Sequence, residues 1–257
     1  MFSRFAFAMV LVLAPGLARA DVFALRYQPP GVAGPFAPAP GAVQGTEAFD
    51  ARPQSAIGST LPFTTTFGTG GVLSGTYSGA MGVFGADQYG GAGGAGNYIV
   101  SFAQGDGYKL TLSSNGVIPG FNQFGMQISA LDAGNRLDFL RAGQVVFSYT
   151  PAAMVRDLGP CASANIYCGN PTTGANGREQ YAFVSFLNRT GYFDQVWFHQ
   201  VGIGGFETDN HTAGYLPPGS AQAAAFVDIP EPHAVALLGA GLVALGVARR
   251  RRNPEAG

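Results

Sequence analysis

From Asp21 onward, hydrophobic positions come in short runs of five to eight residues, set apart by Gly, Pro, Asn and Asp. Lys109-Leu110-Thr111-Leu112 and Arg136-Leu137-Asp138-Phe139 alternate polar with apolar residues. That period of two puts one face of a strand in a core and the other in water. The runs predict strands over 43–49, 61–67, 72–77, 97–102, 108–113, 124–130, 136–140, 144–149, 181–187, 193–200, 203–209 and 223–227. No stretch of this region keeps a helical period. About a dozen short strands joined by turns such as Asp132-Ala133-Gly134-Asn135 predict an all-β fold, an antiparallel β-sandwich of jelly-roll type. Residues 21–45 carry Pro29, Pro30, Pro35, Pro38 and Pro40 and read as an extended segment or lid ahead of a domain spanning 46–228.

Both ends depart from this pattern. The first has Arg4, an apolar stretch over 5–13, a break at Pro15-Gly16 and the small-residue triplet Ala18-Arg19-Ala20. That order is a secretory signal peptide over 1–20, with the mature chain starting at Asp21. Read as an anchor instead, nine apolar residues at about 1.5 Å each fall far short of a roughly 30 Å hydrocarbon core. The other end reads Pro230-Glu231-Pro232, an apolar run over 234–248, then Arg249, Arg250, Arg251 and Arg252. Arginine costs about 2.5 to 3.5 kcal/mol at a membrane centre, so the cluster stays cytoplasmic and the tripeptide lies on the outer side.

This ordered tail, over 229–257, resembles the PEP-CTERM sorting signal of Gram-negative bacteria, which is read by the membrane enzyme exosortase. The resemblance implies export, a transient inner-membrane anchor, cleavage near the tripeptide and delivery to the periplasm, cell surface or extracellular matrix; a permanent tail anchor is the alternative. Residues 86–98, 127–137, 193–198 and 206–212 are similar to segments of exosortase-dependent surface proteins, without a motif of assigned chemistry.

Charge narrows the partners. Residues 21–230 hold thirteen acidic and eight basic side chains, a balance of −5, and the arginines are scattered. A nucleic acid needs a basic groove, so none is expected as a partner. Cys161 and Cys168 sit seven residues apart and, in an oxidising compartment, are expected to pair; no second cysteine pair or nearby histidine completes a zinc set. Gly91-Ala92-Gly93-Gly94-Ala95-Gly96 formally fits GxGxxG, but a strand rather than a helix follows it, so a loop between strands is expected.

Chemistry has few carriers. There is no GxSxG elbow and no HExxH, and within the domain only His199 and His211 offer a base. No cofactor is expected other than calcium, for which Glu47, Asp50, Glu207, Asp209 and Asn210 are ligand types placed near a first and a last strand, with solvated turn caps as the alternative. Trp197, Tyr192, Tyr89 and Tyr98 are candidates for stacking on a sugar, against ordinary core packing. The sequence therefore leads to a non-enzymatic envelope or matrix protein associated with exopolysaccharide. Its alternatives are a selective carbohydrate-binding module and an exported hydrolase, the latter needing a carboxylate pair in a cleft.

Overall fold

The computed structural model describes residues 21–229 apart from 33, 35–39, 57, 69, 103–105, 163 and 164. The signal segment and the tail, with Pro230, Glu231, Pro232 and Arg249 to Arg252, lie outside the described residues. In chain order the strands are β1 (Phe23–Gln28), β2 (Val43–Glu47), β3 (Phe63–Phe67), β4 (Leu73–Gly79), β5 (Gly82–Gly85), β6 (Asn97–Phe102) and β7 (Tyr108–Ser114). There follow β8 (Gln123–Ser129), β9 (Asn135–Arg141), β10 (Gln144–Tyr149), β11 (Ala182–Asn188), β12 (Gln195–Gln200), β13 (Gly205–Tyr215) and β14 (Val227–Asp228). Two short helices interrupt them, α1 (Pro151–Leu158) and α2 (Ala221–Ala224).

These strands make two sheets. The larger runs β14-β1-β11-β8-β13-β6-β5, with β2 also pairing β13, and the smaller runs β10-β9-β12-β7-β4-β3. All the pairings are antiparallel. The chain changes sheet from β2 to β3, β4 to β5, β6 to β7, β7 to β8, β8 to β9, β10 to β11, β11 to β12 and β12 to β13, so it passes repeatedly between the two layers of an antiparallel β-sandwich.

The core lies between the layers. Leu137 and Phe139 of β9 and Val196 and Phe198 of β12 meet Phe124, Met126 and Ile128 of β8 and Val184 and Phe186 of β11. Phe139 is the hub, 4.9 Å from Phe186, 4.9 Å from Phe193 and 5.2 Å from Phe23, ring centre to ring centre. Each such ring removed from water contributes about 1.5 to 3 kcal/mol. Along β8 and β11 the outer face of the larger sheet is buried too. Gln123, Gln127 and Ser129 of β8 and Ser185 of β11 are each 3% exposed or less, although their side chains are polar.

Four expectations are corrected. Residues 21–45 do not all precede the domain. Phe23, Ala24 and Leu25 of β1 are buried, and β1 pairs along its length with β11, because the prolines begin only at Pro29. β5 is four residues long and gave no visible run. Helix α1 forms where the sequence keeps no helical period: Pro151 starts it, Gly159 at φ 82° stops it, and Met154 is its one fully buried residue. Over 223–227 the end of a helix and a turn replace the expected strand up to Val227, where β14 begins, with Ser220 capping α2 by accepting from the Ala223 N–H at 3.2 Å.

The C-terminal end of the domain is tied down beside β1. Ala24 pairs with Asp228 and Leu25 with Val227, and Ile229 N–H donates to the Phe23 carbonyl at 2.9 Å. Arg189 holds this end from the side through an ion pair with Asp228 and hydrogen bonds to the carbonyls of Ala223 and Phe226 at 3.0 and 2.8 Å.

Strand β13 carries a bulge. Its register against β8 jumps between Asp209 and Thr212, and Asn210 takes φ 48°, a left-handed conformation that asparagine tolerates. Before the bulge Phe206 and Thr208 face the core; after it His211 and Ala213 do. His211 is thereby buried. Its Nδ1 pairs with Tyr77 Oη at 3.0 Å and its Nε2 with Thr208 Oγ1 at 2.9 Å, which in turn meets Tyr108 Oη at 2.9 Å.

Candidate binding pocket on the outer face of the larger sheet

On β13, residues 205, 207 and 209 point away from the core. Gly205 pairs with Phe102 and Glu207 with Val100 of β6, whose even-numbered residues point the same way. Together with Phe84 of β5 they floor a pocket of about 400 Å³. Asp87 and Tyr89 wall it from the β5–β6 loop, Asp132 from the β8–β9 turn and Glu179 from the loop ahead of β11.

The walls are held by hydrogen bonds. Asp87 Oδ1 accepts from the N–H groups of Tyr89 and Gly90 at 2.7 and 3.1 Å and from Tyr98 Oη at 3.3 Å. The Gln88 carbonyl accepts from Asn170, Asn176 and Tyr181 at 3.1, 3.1 and 2.8 Å, which binds the glycine-rich loop to the long loop before β11. No helix follows the glycines: Ala92–Gly94 is a single 3-10 turn and β6 comes next, so the segment is a loop and not a dinucleotide cradle.

Four carboxyl groups face this pocket, and burial shapes their chemistry. Glu207 is 7% exposed, and its Oε2 has no hydrogen-bond partner among the described residues; Glu179 Oε2 is in the same position. Burial pushes the Glu207 carboxyl up to about 8, a hydrogen bond from its own N–H opposes the shift, and Asp132, Glu179 and Asp87 push in the same direction as burial. Burial also raises Asp132 and Glu179. The Glu207 carboxyl folds over Gly205, and that of Asp132 over Gly204, so a Cβ at either glycine would overlap a carboxylate. Gly204 also sits at φ 111°, open in practice only to glycine.

The five proposed calcium ligands divide between two places. Glu207 lines the pocket. Glu47, Asp50 and Asp209 instead hold backbone: Glu47 Oε1 accepts from Phe49 N–H at 2.8 Å with its Oε2 2.9 Å from Arg52, Asp50 accepts from Asn97 N–H at 2.8 Å, and Asp209 accepts from Ala92 N–H at 2.8 Å. Burial raises the Asp209 carboxyl to about 7, against the hydrogen bonds from Ala92 and Asn210. Asn210 is the left-handed residue of the bulge. Among the described residues no three His, Cys, Asp or Glu side chains gather in a way that holds a metal ion.

The four aromatic candidates also separate. Tyr89 and Tyr98 line the pocket, Tyr89 exposed and Tyr98 buried at 4%. Trp197 lies on the opposite side of the sandwich, on the outer face of β12, half-buried under Lys109 Nζ at 3.9 Å and beside the His199 ring at 4.1 Å. Its Nε1 donates to the Asp106 carbonyl at 2.6 Å. Tyr192 is an exposed loop residue laid over Gly120.

Near Trp197, Asp138 accepts from Ser148 Oγ at 2.6 Å and from Arg136 at 2.8 Å, and lies 2.9 Å from His199 Nε2. Burial pushes this carboxyl up, but His199, Ser148 and Arg136 outweigh it and leave it below the ordinary range. The carboxylate stands between serine and histidine, so His199 cannot take the serine proton, as a Ser-His-Asp triad requires. The sulfurs of Cys161 and Cys168 are at bonding distance, 2.10 Å, with Asn165 Nδ2 inside their loop donating to the carbonyls of Leu158 and Pro160 at 3.0 and 3.1 Å.

Asp87, Asp132 and Glu179 were not singled out from sequence. Each sits in a separate loop without a motif of assigned chemistry, and the pairing of β5, β6, β13, β8 and β11 brings them together.

Residues 228–252 match the PEP-CTERM protein-sorting motif. No match was found among curated proteins, and none among solved structures. Among the described residues no helix is long and apolar enough to cross a membrane.

Proposed function

We propose that this chain, which carries a PEP-CTERM protein-sorting motif, is a non-enzymatic exported protein of the cell envelope that holds exopolysaccharide in the pocket of Tyr89, Tyr98 and Glu207. One observation carries the reading: an open pocket of small-molecule size joins aromatic and apolar surface from Phe84, Phe102 and Tyr89 to the carboxyl groups that line it. Sugars need both kinds of contact, since aromatic faces meet ring C–H groups while acceptors take the hydroxyls. Affinity electrophoresis through gels containing exopolysaccharide from the producing cells tests it. The purified protein is expected to be retarded and Tyr89→Ala to run freely; a wild-type protein that runs unretarded removes the reading.

A hydrolytic reading has one observation in its favour. A buried carboxyl held protonated beside other carboxylates is what a glycosidase acid requires, and Glu207 with Asp132 and Glu179 has that character. Release of reducing ends from the same polysaccharide, lost in Glu207→Gln, would select hydrolysis over holding.

A further inference from the structure

The chemistry of the pocket narrows its ligand further, an inference that rests on the pocket being a binding site. The geometry points to a ligand that presents a protonated amine to Glu207 and Glu179, which among glycans means a 2-amino sugar in preference to its N-acetylated counterpart.

The first ground is one-sided charge. Asp87, Asp132, Glu179 and Glu207 all face the cavity, and no Lys, Arg or His is among the described residues lining it. Glu47 and Asp138, buried elsewhere in the domain, face Arg52 and Arg136. In the pocket Asp87 is held by the N–H groups of Tyr89 and Gly90 and by Tyr98 Oη, Glu207 by its own N–H, and no described lining residue supplies a cation.

The second ground is Glu207 itself. It is 7% exposed, lines the cavity and keeps Oε2 without a donor, and Glu179 Oε2 is equally unpartnered among the described residues. Buried carboxylate oxygens without donors are rare because desolvation is then uncompensated. An ammonium group supplies three N–H donors and a full positive charge, and its hydrogen bonds to carboxylate are of the strong, charge-assisted kind. A bare calcium ion needs six to eight oxygens drawn in to about 2.3 to 2.6 Å, and no cluster of three such side chains exists among the described residues. An amine carried on a ring suits better, because its donors reach carboxyls that stand apart while the ring lies on Phe84 and Phe102.

Protonation gives the inference a signature. The groups around Glu207 are Asp87, Asp132, Glu179, Tyr98 and Tyr181, all neutral or acidic, so the empty pocket favours a protonated Glu207 at neutral pH. An ammonium placed against it reverses that preference, and the carboxyl releases its proton as the ligand enters.

The test is calorimetric titration of the full-length protein in detergent micelles with glucosamine and with N-acetylglucosamine, at a mildly acidic pH where the amine is charged. Glucosamine is expected to bind at least about tenfold more tightly. Its heat should vary with the buffer's ionisation enthalpy, as release of a proton requires. Glu207→Gln, which keeps the shape of the side chain, should remove the preference and the proton release while leaving the circular dichroism spectrum unchanged. Should that variant fail to fold, Glu179→Gln is expected to reduce the preference by itself. Equal affinity for both sugars, lost in Tyr89→Ala, overturns the amine inference and leaves the glycan reading intact. Binding of neither sugar overturns the inference, and the glycan reading falls with it only if retention on exopolysaccharide is absent as well. Glucosamine binding unaltered by both glutamine variants, or a pocket that takes calcium chloride in place of the amine, also overturns it.

Discussion

The imidazole of His211 lies parallel to the ring of Phe198, with centroids 4.9 Å apart and planes 3° apart, and none of its surface reaches water. Burial lowers its pKa to about 3 from an ordinary value of 6.5. The unfolded chain therefore takes up a proton between pH 6.5 and 3 that the folded chain refuses. The stability linked to this group is complete above pH 6.5 and is lost as pH falls toward 3. His211→Phe should flatten that acid limb in denaturant melts, and at neutral pH should cost about 1 to 3 kcal/mol for the abandoned Tyr77 and Thr208 hydroxyls. An acid limb unchanged in the variant would show that His211 does not carry it.

Glu207 and Asp209 act with the opposite sign. Their folded-state values, about 8 and about 7, lie above their ordinary values of 4.5 and 3.8. Stability from each is complete below its ordinary value and is lost as pH rises through the folded one. Together with His211 they place the stability maximum in mildly acidic solution. The domain is expected to be more stable near pH 5 than near pH 8, by on the order of a few kcal/mol, and Glu207→Gln with Asp209→Asn should reverse the difference, leaving the opposite dependence that His211 imposes. Denaturant midpoints across that range measure it.

Cys161 and Cys168 close a short loop, so their bond should constrain the unfolded chain by about 2 to 3 kcal/mol. Reduction is expected to loosen the loop after α1 before the sandwich melts, since the aromatic core around Phe139 does not involve it. Thiol labelling of both residues in protein taken from cells without prior reduction would contradict the pairing.

The sorting motif yields a mass. Intact-mass analysis of the mature protein is expected to show a chain that begins at Asp21 and lacks residues 234–257, whereas Glu231→Ala should leave a membrane-bound form that keeps its arginines. A wild-type surface protein that retains Arg249 to Arg252 would point to a permanent anchor instead.

The sandwich was legible wherever one face of a strand meets water. In β4 and β7 buried and open positions alternate, as Tyr108, Leu110 and Leu112 do with Lys109 and Thr111, and there the period of two survives in the sequence. In β8 and β11 the outer face is buried as well, so Gln127 and Ser185 are as inaccessible as Met126. Pattern alone cannot report that, because these side chains are polar and yet closed to solvent. Strand β1 was hidden by the prolines that follow it, and α1 by having only two turns. Within the pocket, Tyr89, Tyr98 and Glu207 were candidates from sequence, although for different roles. Asp87, Asp132 and Glu179 carry no local signal, since their nearness is a product of strand pairing.

The pairing of β1 with β14 joins the first described residues of the domain to its last, Ala24 to Asp228, with Arg189 clasping the seam. For a chain threaded through a membrane from its N-terminus, this edge is the final piece to arrive. Until residues 227–229 emerge, β1 presents an unpaired border, the kind of edge on which neighbouring chains associate. Timing follows from topology: the residues that finish the sheet also lead straight into the sorting motif, so completion of the sheet and emergence of the motif fall at nearly the same point of the chain.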